Sequence, residues 1–370
     1  MPCSCRLTGS SVSLHELQTV NDEPAAPWND EPRLPKHDIF TLYELVEALT
    51  HLSERINVVR DLELRGSPLP TVGRGMSITL YGTCGKRQCK LDAKGRSHIF
   101  LVYGGTLTIR NLDLVGGHGG SRPGDFGGLI MLEGGALEMY DSALRDSQAW
   151  SGGAVYAGGE ARVHLTRCSI RNNQALASAY SAGVAGGGAF FINGSRLTLQ
   201  SCSTVANGPV VRNGTASQGG AVLCGWGAEV TFRAGEASWN EAAYGGVVKS
   251  DWDSVVSFLD GCEVHENKAY AGAVVYSWGS SNVFHHAVLR DNVAAGGGSI
   301  LAAANPPPRH THNLEVVEAT VNGDPWSSAA LCNPSCTTYL ANGATANFHS
   351  EEHQPARRAA LQGGAPGASA

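Results

Sequence analysis

A pair of glycines, an apolar run and an asparagine some twenty residues later recur along this chain and restrict it to one kind of fold. "GGAVYAGGEARVHLTRCSIRNNQA" occupies 152–175, and variants of it begin at Gly187, Gly219 and Gly245. With the first glycine as origin, units start at Gly127, Gly152, Gly187, Gly219, Gly245, Ala271 and Gly297, and a weaker unit begins near Ser97. Successive clear starts lie 25, 35, 32, 26, 26 and 26 residues apart. A period near 25 made of short β-rich segments marks a β-solenoid.

The distance from each start to its asparagine is nearly constant. Asn173, Asn207, Asn240, Asn267 and Asn292 stand 20 to 22 residues into their units, and Ser147 takes the place in the first. Extra residues therefore enter at one corner, as insertions at 118–126, 175–186 and 208–218. Stacked asparagines can hydrogen-bond into a ladder, and an asparagine also tolerates the left-handed backbone of a sharp corner. The glycines allow turns where a Cβ would clash.

Within a unit, apolar residues alternate. Ile130, Val155, Phe190, Val222, Val248, Val274 and Ile300 form an inward column, and Met131, Tyr156, Phe191, Leu223, Lys249, Val275 and Leu301 form the outward one. Period-two alternation with like residues stacking between units describes parallel strands wound into a coil. About ten coils are expected. The helical spacing in 38–57 predicts a capping helix that feeds the first strand, and 312–324 reads as a final coil. The domain reading is a disordered segment 1–35, a β-helix domain with its cap over 36–345, and a disordered tail 346–370.

The combination of GGA-aliphatic with aliphatic-x-x-Asn, as in "GGAVY…IRNN", resembles the repeats of chlamydial polymorphic outer-membrane proteins. More broadly, residues 56–325 resemble the right-handed parallel β-helix of the pectin-lyase-like superfamily. The phenylalanine of that family's Phe-x-x-Asn is replaced here by Ile170, Thr204, Ala237, Val264 and Leu289. The resemblance implies an all-β, right-handed parallel β-helix. It leaves activity open, because the architecture hosts lyases, hydrolases, adhesins and passenger domains alike. No segment is patterned as a translocation barrel, so autotransport is not part of the expectation.

Ten cysteines and a net charge of −6 set the remaining bounds. The charge and the lack of basic runs give no case for nucleic acid, and no apolar stretch reaches the roughly 20 residues that span a bilayer. Cys84 with Cys89, and Cys332 with Cys336, are spaced for loop disulfides; Asn193 and Asn213 head glycosylation sequons. Cysteine usage favours an extracellular or cell-surface setting. The first twenty residues carry no charged n-region and no apolar h-region, so either the start lies upstream or the thiols are intracellular and reduced. Cys168 and Cys202 share an inward register, which fits a disulfide or a buried thiol pair equally well.

Candidate chemistry is sparse. "GGHGG" offers His118 without the clustered aspartates of a polygalacturonase-like hydrolase, and glycosidic hydrolysis needs two carboxylates facing one bond. Asp251 and Asp253 near Lys249 are the best acidic group, but the neighbouring units add Gly225, Gly227 and Trp278, too few oxygens for Ca²⁺; a solvated turn is the expectation. His285 and His286 have no matching acid or thiol column, and no metal or cofactor is expected, with Ca²⁺ reserved for a lyase. Trp226, Trp252 and Trp278 recur 26 residues apart, a spacing that lines up aromatic faces for a sugar chain or for mutual stacking. Together with Tyr156, Phe191, Lys249, Asp251 and Asp253 they form the candidate ligand surface. The expected function is a non-catalytic surface protein that binds polysaccharide or mediates adhesion. The alternative is a pectate-lyase-like or polygalacturonase-like enzyme acting on an acidic polysaccharide.

Overall fold

The computed structural model describes residues 37–303 apart from 52–53, 177–185, 210–217 and 296–300, together with the strands Asn313–Val317, Thr320–Asn322 and Thr337–Leu340. The segments 1–35 and 346–370, Cys332, Cys336, Asn213, Gly297 and Ile300 lie outside the described residues.

Every strand pairing between named strands is parallel, and each joins a strand to its counterpart one turn away, as in Val155↔Phe190 and Val163↔Leu197. The chain thus winds as a parallel β-solenoid with three long sheets of nine, twelve and ten strands, visited in that order in each turn. Two three-stranded ribbons follow the ten-strand sheet in parts of the stack. About eight turns form, not ten. The segment before Leu69 adds strands to the twelve- and ten-strand sheets but none to the nine-strand sheet, and Thr337–Leu340 extends the twelve-strand sheet alone.

The helix is shorter than its periodicity suggested. It covers Leu42–Thr50, and the flanking residues are already strands, His37–Ile39 and Arg55–Val58. Thr41 Oγ1 accepts the Glu44 N–H at 3.2 Å while Glu44 Oε2 accepts the Thr41 N–H at 3.0 Å, a reciprocal capping box that fixes the start. Leu45, Ala48 and Leu49 are buried in the same core cluster as the strands.

Inside the coil, like residues stack. Phe232, Phe258 and Phe284 lie ring on ring at 4.8 and 4.9 Å with planes 8° apart, because successive strands place the same side-chain position one strand spacing apart. The inward column of the nine-strand sheet runs Ile130, Val155, Phe190, Val222, Val248, Val275 and Leu301. Val275 and Leu301 replace the expected Val274 and Ile300. The sixth unit begins at Gly272, which at φ +66° is left-handed like Gly127, Gly152, Gly187, Gly219 and Gly245. The second glycine serves a different purpose: a Cβ on Gly220 would collide with the Gly246 carbonyl oxygen of the next turn.

The asparagines form a continuous buried column. Asn173 donates both its backbone N–H and Nδ2 to Asn207 Oδ1, at 3.1 and 3.0 Å, and Nδ2 also donates to the Leu144 carbonyl. The same pattern links Asn207 to Asn240, Asn240 to Asn267 and Asn267 to Asn292, and Ser147 Oγ donates to Asn173 Oδ1 at 2.6 Å. These residues do not take the left-handed conformation expected of them. It falls one position earlier, on Asn172, Ala206, Trp239, Glu266 and Asp291, with φ between 53° and 57°. A non-glycine residue there costs about 1–2 kcal/mol, and the ladder bonds formed directly after it offset that cost.

Cys84 and Cys89 form a disulfide. Cys168, Cys202, Cys224 and Cys262 are free and buried. The Cys168 N–H reaches Cys202 Sγ at 3.4 Å, so the neighbouring pair meets as thiols.

Candidate functional site

The corner between the nine-strand and twelve-strand sheets carries the tryptophans. Trp226 and Trp252 occupy it in left-handed conformation, with φ of 56° and 39°, directly after the strands Val222–Gly225 and Val248–Asp251. A left-handed residue at a strand end throws its side chain outward and turns the chain toward the next face. Trp278 reaches the same place one position earlier, as the last residue of Val275–Trp278, where it pairs with Asp251 instead of Trp252. The three indoles still adjoin: ring centroids are 4.8 Å apart for Trp226–Trp252 and 6.1 Å for Trp252–Trp278, tilted by 52° and 37°. Trp226 is 46% exposed and Trp278 37%, with Trp252 half-buried between them. Gly225 bears no side chain on the strip, and Trp252 Cε3 lies 4.0 Å from where its Cβ would stand.

Tyr156 and Phe191 do not belong to this surface. The insertion 118–126 brings Phe126 over them, stacked on Tyr156 at 4.8 Å and edge-on to Phe191 at 5.3 Å. With Leu223, Phe126 and Met131 they make a closed apolar cluster outside the coil. An outward apolar column needs a cover, and here the chain supplies it.

Lys249 and Asp251 are not a solvated turn either. Lys249 is 4% exposed and Asp251 7%, and Lys249 Nζ donates to Asp251 Oδ1. Lys249 lies in register between Leu223 and Tyr276, and its ammonium sits 5.6 Å from the Tyr276 ring centre and 5.9 Å from that of Trp278. Tyr244 packs against Tyr276 at 4.9 Å. Burial pushes Lys249 below the ordinary lysine range and Asp251 above the ordinary carboxylate range, and each partner's charge opposes the shift of the other. The ammonium lies within cation–π reach of the Trp278 ring. The pair thus lies beneath one end of the strip and is itself buried.

The other expected residues are dispersed. Asp253 is exposed at the same corner with φ of 58°. Asn193 ends the strand Phe190–Asn193, half-buried. His118 is bridged to Gln148, His285 closes the strand Ser281–His285, and His286 occupies the following left-handed corner. Among the described residues no group of three His, Cys, Asp or Glu side chains is placed to hold a metal ion, and no helix is long and apolar enough to cross a membrane.

Beside Trp226 the same corner opens into a hollow of about 270 Å³ lined by Glu160, Arg162, Gly194, Arg196, Gly227 and Glu229 with two small neighbours. The residues that shape it were not singled out by the sequence, although "GGEAR" at 158–162 occupies the tryptophan corner two turns earlier. Arg196 is held by Glu229 through two bonds, Nε to Oε2 at 2.8 Å and Nη2 to Oε1 at 3.0 Å.

No protein-family pattern matches the chain, and neither a curated protein nor a solved structure matches it significantly.

Proposed function

We propose that this protein is a non-catalytic β-helix of the cell surface or the extracellular space that binds polysaccharide across the indoles of Trp226, Trp252 and Trp278. The observation that carries the reading is the strip itself. Three consecutive turns each commit a tryptophan to one corner, and two of the rings keep more than a third of their surface open. A large exposed indole in a left-handed corner is costly twice over, in backbone strain and in apolar surface left in water. Stacking on a sugar ring recovers the second cost, since a pyranose presents C–H groups to an aromatic face.

The enzymatic alternative draws little support. A lyase or hydrolase site of the expected kind needs acid and base groups open to the chain they act on, and Lys249 and Asp251 are buried. Adhesion through the same strip is the form of the proposal in which the polysaccharide belongs to another cell. Affinity electrophoresis tests the reading. The protein should be retarded in a gel cast with at least one of xylan, mannan, pectate or alginate, and Trp226→Ala should migrate freely in that gel. Equal migration of both proteins in every gel sinks it.

A further inference from the structure

The hollow beside Trp226 continues the tryptophan strip. Gly227, which lines it, follows Trp226 directly, and the Gly194 backbone lies against Trp226, whose carbonyl oxygen is 3.3 Å from where a Gly194 Cβ would stand. Arg162, Arg196 and Glu229 stack in register over three successive turns of the twelve-strand sheet. From Glu160 to Trp278 the corner spans five turns, about 19 Å at one strand spacing per turn.

Charge and hydrogen-bonding capacity in the hollow are unusual for a surface corner. Two arginines sit side by side, an arrangement that is unfavourable in itself. Only one is neutralised, Arg196 by the two bonds it donates to Glu229. Among the described residues the Arg162 guanidinium and the Glu160 carboxylate make no hydrogen bond and no ion pair, although both line the same space. A guanidinium donates two parallel bonds and a carboxylate accepts two. Adjacent sugar hydroxyls offer the matching set, because each O–H both donates and accepts.

We infer that the hollow and the tryptophan strip are one track for a linear uncharged glycan running along the stack of turns. Glu160 and Arg162 bind adjacent hydroxyls of a sugar ring next to the one on Trp226. The inference rests on the polysaccharide reading and narrows it. The charge of the hollow decides against a polyanion: its two guanidinium groups are matched by two carboxylates, those of Glu160 and Glu229. An acidic chain would meet no net attraction along it. The bidentate Arg196–Glu229 pair forms a rigid polar wall, and Arg162 and Glu160 are the groups left to a ligand.

The test uses the same gels with xylan, mannan and hydroxyethylcellulose as neutral glycans and pectate and alginate as acidic ones. The charge-neutral double variant Glu160→Gln/Arg162→Met runs beside Trp226→Ala. Both altered side chains are exposed, so circular dichroism and thermal midpoints should match the unaltered protein. The expected result is retardation in a neutral gel and none in the acidic gels, with the double variant binding about tenfold more weakly. Retardation confined to acidic gels and weakened by salt overturns the inference and leaves the tryptophan reading standing. So does a double variant that is retarded as strongly as the unaltered protein. Free migration of the unaltered protein in all five gels overturns both.

Discussion

Asn240 and Asn267 are joined twice: the backbone N–H and the side-chain Nδ2 of Asn240 both donate to Asn267 Oδ1, at 2.9 and 3.0 Å. Asn240 Oδ1 in turn accepts both donors of Asn207, and Asn240 Nδ2 holds the Thr204 carbonyl at 2.9 Å. Each link of the ladder therefore satisfies buried donors and acceptors on both neighbouring turns.

Asn240→Ala removes that link: the Asn207 N–H loses its acceptor, and the Thr204 carbonyl and Asn267 Oδ1 each lose one donor. Orphaned buried groups cost about 1–3 kcal/mol each, so a loss on the order of 3 kcal/mol is expected from urea unfolding midpoints. Asn172→Gly is the contrasting change. Asn172 is exposed in left-handed conformation, with φ of 56°, where glycine relieves the steric penalty, smallest for asparagine, but loses about 0.5–1 kcal/mol more chain entropy on folding; the two effects oppose, and stability should stay within about 0.5 kcal/mol.

The two kinds of glycine separate in the same way. Gly227 has φ of +75° and open space where a Cβ would stand, so Gly227→Ala should cost only the left-handed penalty, about 1–2 kcal/mol. Gly220→Ala drives a Cβ into the Gly246 carbonyl oxygen and should cost clearly more. Thermal midpoints of the two variants, measured side by side, check the order.

Burial of Lys249 and Asp251 predicts that each is harmful alone and dispensable together. Lys249→Met leaves a buried carboxylate without its partner, a loss of about 3–5 kcal/mol, while Lys249→Met/Asp251→Leu should be near neutral or stabilising. The pH dependence follows from the raised Asp251. Between the ordinary aspartate value of 3.8 and its raised folded value the native state holds the extra proton. Its contribution therefore favours folding at acid pH and weakens as pH climbs through that window. The stability of the protein relative to Asp251→Asn should accordingly fall as pH rises above the ordinary aspartate value; a rise there contradicts the burial.

The core thiols should be inert. Cys262 is fully buried and burial pushes its thiol up to about 12; burial raises Cys224 as well. Alkylation at pH 8 followed by peptide mapping should leave Cys168, Cys202, Cys224 and Cys262 unlabelled in the native protein and labelled in urea, since burial keeps the reagent from all four.

Periodicity made the solenoid, its turning glycines and the asparagine column legible from residues alone, because a two-residue alternation and a constant repeat constrain which side chains can stack. The register slipped at "AGAVVY". The left-handed corner demands glycine at its first position, Gly272, and accepts Ala273 at the second, so matching Ala271 to the other first glycines moved the last columns by one. That slip hid Tyr276 from the Lys249 column. Alternation also states only that a residue points outward. Whether it meets water depends on what folds over it, and for Tyr156 and Phe191 that is Phe126 from a corner insertion. The Glu160 and Arg162 hollow was not legible because it exists only once three turns are stacked.

The most direct measurement of the central claim is calorimetric titration of the full chain with a neutral linear hexasaccharide from whichever gel retards it, repeated on Trp226→Ala/Trp278→Ala. Saturable binding that drops at least about tenfold in the double variant, with circular dichroism unchanged, is the predicted result. Binding of equal strength in both proteins would contradict the account.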